Sequence, residues 1–258
     1  ADTVESVHLM AICGTGMGAF AGLLHEAGFT VTGSDAGIYP PMSTQLEKLG
    51  IDLMEGFRPD NLSHDPDLVV VGNAITRVNP EAQALLGSEL DYTSFPEALA
   101  DLFLAFRHPV VVSGTHGKTT TSALLSWCLL HAGREPGFLV GGVMKNVDGN
   151  FRAGDEGAPF VIEGDEYDTA FFEKTAKFLH YRARTAILTS VEFDHADIYE
   201  DLDRIEREFQ PFVAGLPEDG LLVACPDGKA VDRVLEHASC PVWTYGAHGD
   251  WKGEILGT

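Results

Sequence analysis

The sequence predicts a two-part α/β protein. A Rossmann-like parallel-sheet domain is expected over residues 1–106, followed by a P-loop, ATPase-type α/β central domain over residues 107–258. Three observations predict it. Short apolar runs that end in glycine or an acidic residue alternate with helix-like segments, which is how a parallel sheet with crossover helices reads. Two glycine-rich turns each follow such a run and open a helix. A chain of 258 residues also suffices for two units at roughly 100–200 residues per domain.

In order along the chain, residues 7–13 (VHLMAIC), 29–35 (FTVTGSD) and 67–73 (DLVVVGN) are expected strands. Residues 17–28 and 42–50 are expected helices that close on Gly28 and Gly50, as a helix C-cap would. Residues 95–106 read as the last helix of the first domain. Arg107-His108-Pro109 then restarts extended chain, because a residue before proline disfavours helix, and the boundary is placed near Arg107. Beyond it, residues 109–113, 159–165, 185–190 and 220–227 are expected strands and residues 119–133 a helix. The tail from Gly246 to Thr258 is glycine-rich and stops without a closing element, so the second domain is expected to be incomplete.

Charge narrows the partners. Thirty-nine Asp and Glu against 17 Lys and Arg leave a net charge of −22, which opposes binding to a phosphate backbone and excludes nucleic acid as a general partner. Any phosphate must be held locally by backbone N–H groups, one or two lysines and a divalent cation. Cys13, Cys128, Cys225 and Cys240 are far apart, with neither zinc-ligand nor disulfide-framework spacing, and a reducing cytoplasm is expected. No stretch approaches the ~18 apolar residues that cross a bilayer, so no membrane partner is expected.

The strongest motif is Gly114-Thr115-His116-Gly117-Lys118-Thr119-Thr120, between an expected strand and an apolar helix. Glycines let successive N–H groups face one anion, the helix N-terminus adds positive potential, Lys118 reaches the outer phosphates, and the Thr119 hydroxyl can meet Mg²⁺. Aligned on the common phosphate-loop pattern, the first glycine position is Val112, so this is a G-x-x-G-K-T variant; an ordinary glycine turn is the alternative. A second signal is the strand over residues 160–163 that runs out into Glu163, Asp165, Glu166 and Asp168. Carboxylates this dense repel unless a cation relieves them, which points to Glu163 as an Mg²⁺ contact, with a solvated acidic loop as the alternative. A third cluster holds Glu192, Asp194, His195 and Asp197, although Mg²⁺ prefers oxygen and a lone histidine is more often plain structure.

Near the N-terminus, Gly14-Thr15-Gly16-Met17-Gly18-Ala19 fits G-x-G-x-x-A, with Asp35 after the next strand. The pattern fits a pyrophosphate-binding turn; by itself it equally suggests NAD or a close helix–strand packing turn. A second phosphate loop argues against a simple dehydrogenase.

The turn ICGTGMG, the run TGSDAGIYPPMS, the loop GTHGKTTT and the stretch EGDEYDTAFFEKTAKFLHYRARTAILTSVEFDHADIY resemble the Mur ligases over essentially the whole chain. The resemblance implies an ATP-dependent ligase that forms an amide on UDP-N-acetylmuramic acid. ATP phosphorylates the lactyl carboxylate, and an amine attacks the acyl phosphate to give amide, ADP and phosphate. It also implies two Mg²⁺, one on Thr119 and Glu163 and the second on His195, with Lys118, Glu163 and His195 in the catalytic centre. Gly114 to Thr120 would hold ATP phosphates, and Gly14, Thr15, Gly16, Met17 and Gly18 would face the UDP pyrophosphate. Asp35 and Asn73 are placed on the uridine side, and each equally reads as capping its own turn.

Within the family, the tyrosine in DEYD, the phenylalanines after it and FDHADIY resemble the peptidoglycan-recycling branch, which adds a murein tripeptide, more than the alanine-adding branch. Three departures stand out. Thr189-Ser190 stands where the family usually has asparagine before VEFDH; no lysine lies between FDHADIY and Pro226, so no carbamylated lysine is expected; and the family's C-terminal domain is expected to be missing from this chain. The rival readings are an NAD-linked oxidoreductase and a module that senses a UDP-sugar and ATP without catalysis. No obligatory protein partner is expected.

Overall fold

A computed structural model describes residues 4–147, 149–192, 202–226 and 228–253, with backbone alone for 202–204. The chain groups into two compact units. The first comprises residues 1–105 with 143–153 and 167–175, and the second residues 106–142, 154–166 and 176–258. The two later segments of the first unit lie beyond Arg107, where a linear division assigns them to the second domain.

The first unit is built from β1 (Ser6–Met10), α1 (Thr15–Glu26), β2 (Thr30–Asp35), α2 (Met42–Lys48), β3 (Asp52–Glu55), β4 (Leu68–Val71), α3 (Pro80–Leu86), β5 (Tyr92–Ser94) and α4 (Phe95–Leu99). Its five strands lie in the order β3-β2-β1-β4-β5, and the pairs are all parallel. This is a five-stranded doubly wound sheet, and its strand order reverses between β1 and β4, which is where such sheets bind ligands. Residues 7–10 of β1 are buried, as both faces of a helix-covered parallel strand should be. The expected strand over 7–13 stops at Met10 because Ala11 takes φ 67°, and the Ala11 and Ile12 N–H groups both turn to the Ser34 carbonyl. The expected helix over 95–106 is α4 followed by a π-helical turn at Ala100–Leu104.

One polar residue sits in the middle of β1. His8 is fully buried and contacts Glu81 at 2.8 Å; Ser34 and Asn61 donate to the same carboxylate at 2.8 and 2.7 Å. A buried carboxylate needs such partners, and this one ties β1, β2, α3 and the turn at Asn61 together.

The second unit and the segments that alternate with it contain β6 (His108–Ser113), α5 (Lys118–His131), β7 (Gly137–Met144), β8 (Gly149–Arg152), β9 (Pro159–Gly164), β10 (Asp168–Ala170), β11 (Glu173–Ala176), β12 (Thr185–Leu188), α6 (Leu202–Ala214), β13 (Leu221–Ala224), α7 (Lys229–Leu235) and β14 (Val242–Thr244). A seven-stranded sheet runs β14-β13-β12-β6-β9-β7-β8, and β10 pairs with β11. The strands from β14 to β7 are parallel neighbours. The chain leaves β6 through α5 towards β7 on one side, whereas β12 flanks β6 on the other, so β6 stands at the reversal point of this sheet. Among the described residues, no helix is long and apolar enough to cross a membrane.

Candidate functional site

β6 ends at Ser113 and α5 begins at Lys118, so the loop between them has four residues to reverse direction. Gly114 (φ 133°) and Gly117 (φ 81°) take conformations that side chains rarely adopt, and Gly117 is the N-cap of α5. Space also demands glycine at the first position, since a Cβ on Gly114 would lie 2.8 Å from the Ser190 N and O. The N–H groups of the first turn, from Lys118 onward, have no partner inside the helix, which makes the turn a ready anion site.

Adjacent strands place the acidic cluster beside this loop. The register pairs Val112 with Glu163 and Ser113 with Gly164, and the Ser113 hydroxyl donates to the Gly164 carbonyl at 2.8 Å. Three carboxylates follow in quick succession, and two have lysines. Lys118 Nζ lies 3.1 Å from Glu166 and also donates to the Gly114 carbonyl at 2.6 Å. Lys177 Nζ lies 3.1 Å from Asp165. Glu163 differs: the Thr119 hydroxyl and the Gly141 N–H donate to its carboxylate, yet Oε1 is buried with no hydrogen-bond partner. Burial pushes the Glu163 carboxyl above its ordinary value and Asp165 adds to this; the bonds from Thr119 and Gly141 and the charge of Lys118 pull the other way.

An orphaned buried carboxylate oxygen beside a hydroxyl oxygen, where a phosphate-type loop passes into its helix, is a donor set that suits a hard divalent cation. Tyr181, fully buried, has its phenol held well above the ordinary range by burial and by Asp165 and Glu163.

The end of β12 ties the loop down from the opposite side. The Thr189 hydroxyl contacts the carbonyls of Ser113 at 3.1 Å and His116 at 2.5 Å. The Ser190 hydroxyl accepts from the His116 N–H at 3.1 Å and pairs with the Thr115 hydroxyl at 2.9 Å, while the Ser190 carbonyl accepts from the Thr115 N–H at 3.0 Å. Thr115 thus points inward and serves the loop, whereas His116, Thr119 and Thr120 are exposed.

In the first unit the turn after β1 has Gly14 as N-cap of α1, and the first helical N–H groups face outward at the strands' carboxyl ends. Gly14 and Thr15 are exposed and Gly16 has open space around it. Met17 and Gly18 are buried instead, and a Cβ on Gly18 would strike Met42 of α2 at 2.2 Å, so these two pack the helix. Asp35 accepts from the Cys13 N–H at 2.9 Å and the Gly37 N–H at 3.3 Å, which makes it a brace for the glycine turn. Asn73 is exposed just past β4, across the reversal point from that turn.

The structure therefore brings Lys118, Thr119 and Glu163 together at one loop, and Gly14, Thr15, Gly16 and Asn73 to one end of the other sheet. His195 lies outside the described residues. Glu166, Lys177, Thr189 and Ser190 escaped sequence reasoning as working residues. The signal for the first two was the bare count of acids against lysines; for the last two it was the departure from asparagine.

Comparison with known proteins follows this geometry. Residues 6–107 match the Mur ligase family catalytic domain and residues 112–255 the Mur ligase middle domain. The chain is 48% identical to the UDP-N-acetylmuramate–L-alanyl-γ-D-glutamyl-meso-2,6-diaminoheptandioate ligase of Escherichia coli K12, over 98% of this chain and 55% of that protein. It is 38% identical to the UDP-N-acetylmuramate–L-alanine ligase of Halorhodospira halophila, over 98% of this chain and 50% of that protein. The crystal structure of the UDP-N-acetylmuramate:L-alanyl-γ-D-glutamyl-meso-diaminopimelate ligase from Neisseria meningitides superposes with a TM-score of 0.92 at 44% identity, covering 98% of this chain and 81% of that one. The chain spans about half the length of the curated relatives it matches. With both domain matches in sequence order and together covering nearly the whole chain, this protein belongs to the Mur ligase family.

Proposed function

We propose that this chain carries the ATP site and the UDP-sugar site of a ligase that joins L-alanyl-γ-D-glutamyl-meso-diaminopimelate to UDP-N-acetylmuramic acid. One observation carries the ATP half: the Thr119 hydroxyl meets Glu163, whose second oxygen is buried and unpartnered, at a loop that also presents Lys118. The choice of tripeptide over alanine rests on the higher identity to the tripeptide ligases, 48% against 38%.

The chemistry brings two anions together, the terminal phosphate of ATP and the lactyl carboxylate, so the site must supply positive charge and N–H donors. Mg²⁺ held by Thr119 and Glu163 would screen the phosphate charge as phosphoryl transfer proceeds. The first-turn N–H groups of α5 orient the phosphates. Lys118 leaves the Gly114 carbonyl and Glu166 to meet the outer phosphate oxygens, and Glu166 stays beside it as counter-charge. Asp165 is already matched by Lys177, so it adds little repulsion to the incoming anions. His195 is assigned to a second Mg²⁺. Gly14, Thr15 and Gly16 receive the UDP pyrophosphate, Asp35 stiffens that turn from behind, and Asn73 borders the same crevice on the uridine side.

Thermal unfolding with added ligands tests the reading. UDP-N-acetylmuramic acid and MgATP, each at a hundred times its dissociation constant, should stabilise the protein by about 2.7 kcal/mol, and NAD should not. A shift with NAD and none with the UDP-sugar overturns the assignment in favour of an oxidoreductase.

A further inference from the structure

We infer that Thr189 and Ser190 are positioning residues for nucleotide binding: they fix which way the His116–Gly117 peptide faces and so present the Gly117 N–H to phosphate. The inference rests on the ATP site proposed above and adds residues to it.

The difficulty the loop must solve is set by glycine. Gly117 at φ 81° occupies a region where glycine has no steric preference against rotation, so the peptide on its N-terminal side can turn over cheaply. Turning it over exchanges an N–H for a carbonyl oxygen, which would repel an incoming phosphate. In a trans peptide the carbonyl of one residue and the N–H of the next point in opposite directions. Whatever holds the His116 carbonyl therefore also sets the direction of the Gly117 N–H.

Thr189 holds it. Its hydroxyl lies 2.5 Å from the His116 carbonyl and 3.1 Å from the Ser113 carbonyl, with a single proton shared between the two. The Gly117 N–H is thereby sent to the side opposite β12. Ser190 fixes the preceding peptide: its hydroxyl accepts from the His116 N–H at 3.1 Å, and its carbonyl accepts from the Thr115 N–H at 3.0 Å. The Thr115 and His116 amides are thus occupied by the protein, and the anion cradle begins at Gly117 and continues into α5.

Gly114 reports the same fit, because any Cβ there would fall 2.3 Å from the Thr189 hydroxyl oxygen. The loop and the end of β12 are in contact without room for a methyl group. An asparagine at position 190 would offer a longer side chain to the His116 N–H, while the bond from the Thr115 N–H to the backbone carbonyl of residue 190 would not depend on the side chain. The Thr-Ser pair ties the loop through short side chains instead, the Thr189 hydroxyl donating to carbonyls and the Ser190 hydroxyl accepting from the His116 N–H, with few rotatable bonds to immobilise.

The test is calorimetric titration of the 258-residue chain with MgATP and, separately, with UDP-N-acetylmuramic acid, for the wild type, Thr189→Val, Thr189→Ser and Ser190→Ala. Thr189→Val keeps the shape and removes the donor; it and Ser190→Ala should weaken MgATP by about tenfold. Affinity for the UDP-sugar should be unchanged, and Thr189→Ser should restore MgATP binding to within about threefold. A merely structural role would not give that split or that rescue.

Equal MgATP affinity in the wild type, Thr189→Val and Ser190→Ala overturns this inference alone. A wild type that binds the UDP-sugar but not MgATP overturns the nucleotide site and this inference with it. Should Thr189→Val fail to fold, amide exchange in the wild type decides: the Thr115 and His116 amides should exchange as slowly as those of β6, and fast exchange there overturns the inference.

Discussion

Glu163 is where burial, charge and function meet in a single side chain. Its carboxyl is held above the ordinary value of 4.5 chiefly by burial, so the metal-free folded protein grips this proton more tightly than the unfolded chain does. The sign follows: stability from this group is present at low pH and is lost as pH rises through the folded-state value. At about pH 8, Glu163→Gln should therefore be more stable than the wild type without Mg²⁺, and the difference should shrink towards about pH 4. Urea unfolding at the two pH values measures this, and a variant less stable than the wild type at both contradicts it. Position 163 was legible in the sequence because the strand runs out into acids. That Glu163 carries a buried oxygen with no hydrogen-bond partner and, among the described residues, has no lysine paired to it was not, because Lys118 and Lys177 find Glu166 and Asp165 only once β9 and the loop are folded.

At the scale of elements, glycine both builds the site and hides it. β7 reads GFLVGGVM, and its glycines dilute the strand pattern, so the sequence offered no strand there. Gly141 has a reason to be glycine: a Cβ would lie 2.6 Å from Glu163 Oε2. Gly141→Ala should displace the carboxylate and remove the Mg²⁺ dependence of nucleotide binding while β7 still forms, which a titration with and without Mg²⁺ would detect. Unaltered Mg²⁺ dependence would show that Glu163 does not need that space. The alternating parallel strands and the two strand–turn–helix junctions were readable, because their apolar runs and flanking glycines are local signals. β8, β10 and β11 carry no such run, and GNFR, DTA and EKTA become strands only through pairing with a neighbouring strand, β8 beside β7 and β10 with β11. In the first glycine turn the pattern located the helix correctly, yet Met17 and Gly18 went to packing, since α2 presses Met42 against α1.

For the whole molecule, a net charge of −22 sits beside two proposed sites for highly charged anions. Each unit answers this locally, with a helix N-terminus at the reversal point of a parallel sheet, and the second unit adds the lysine, hydroxyl and carboxylate of Lys118, Thr119 and Glu163. The family was legible from the motifs along the chain, and domain matches over residues 6–107 and 112–255 bear it out. The interleaved segments 143–153 and 167–175 were not legible, because membership of a unit depends on contacts that no local pattern encodes. The central claim is that the loop between β6 and α5, together with Glu163, binds MgATP. Titrating MgATP and Mg²⁺-free ATP into the wild type and Glu163→Gln tests it most directly: binding should require Mg²⁺ in the wild type and fall by about tenfold or more in the variant. Equal affinity for ATP with and without the metal, unchanged in Glu163→Gln, would contradict the account.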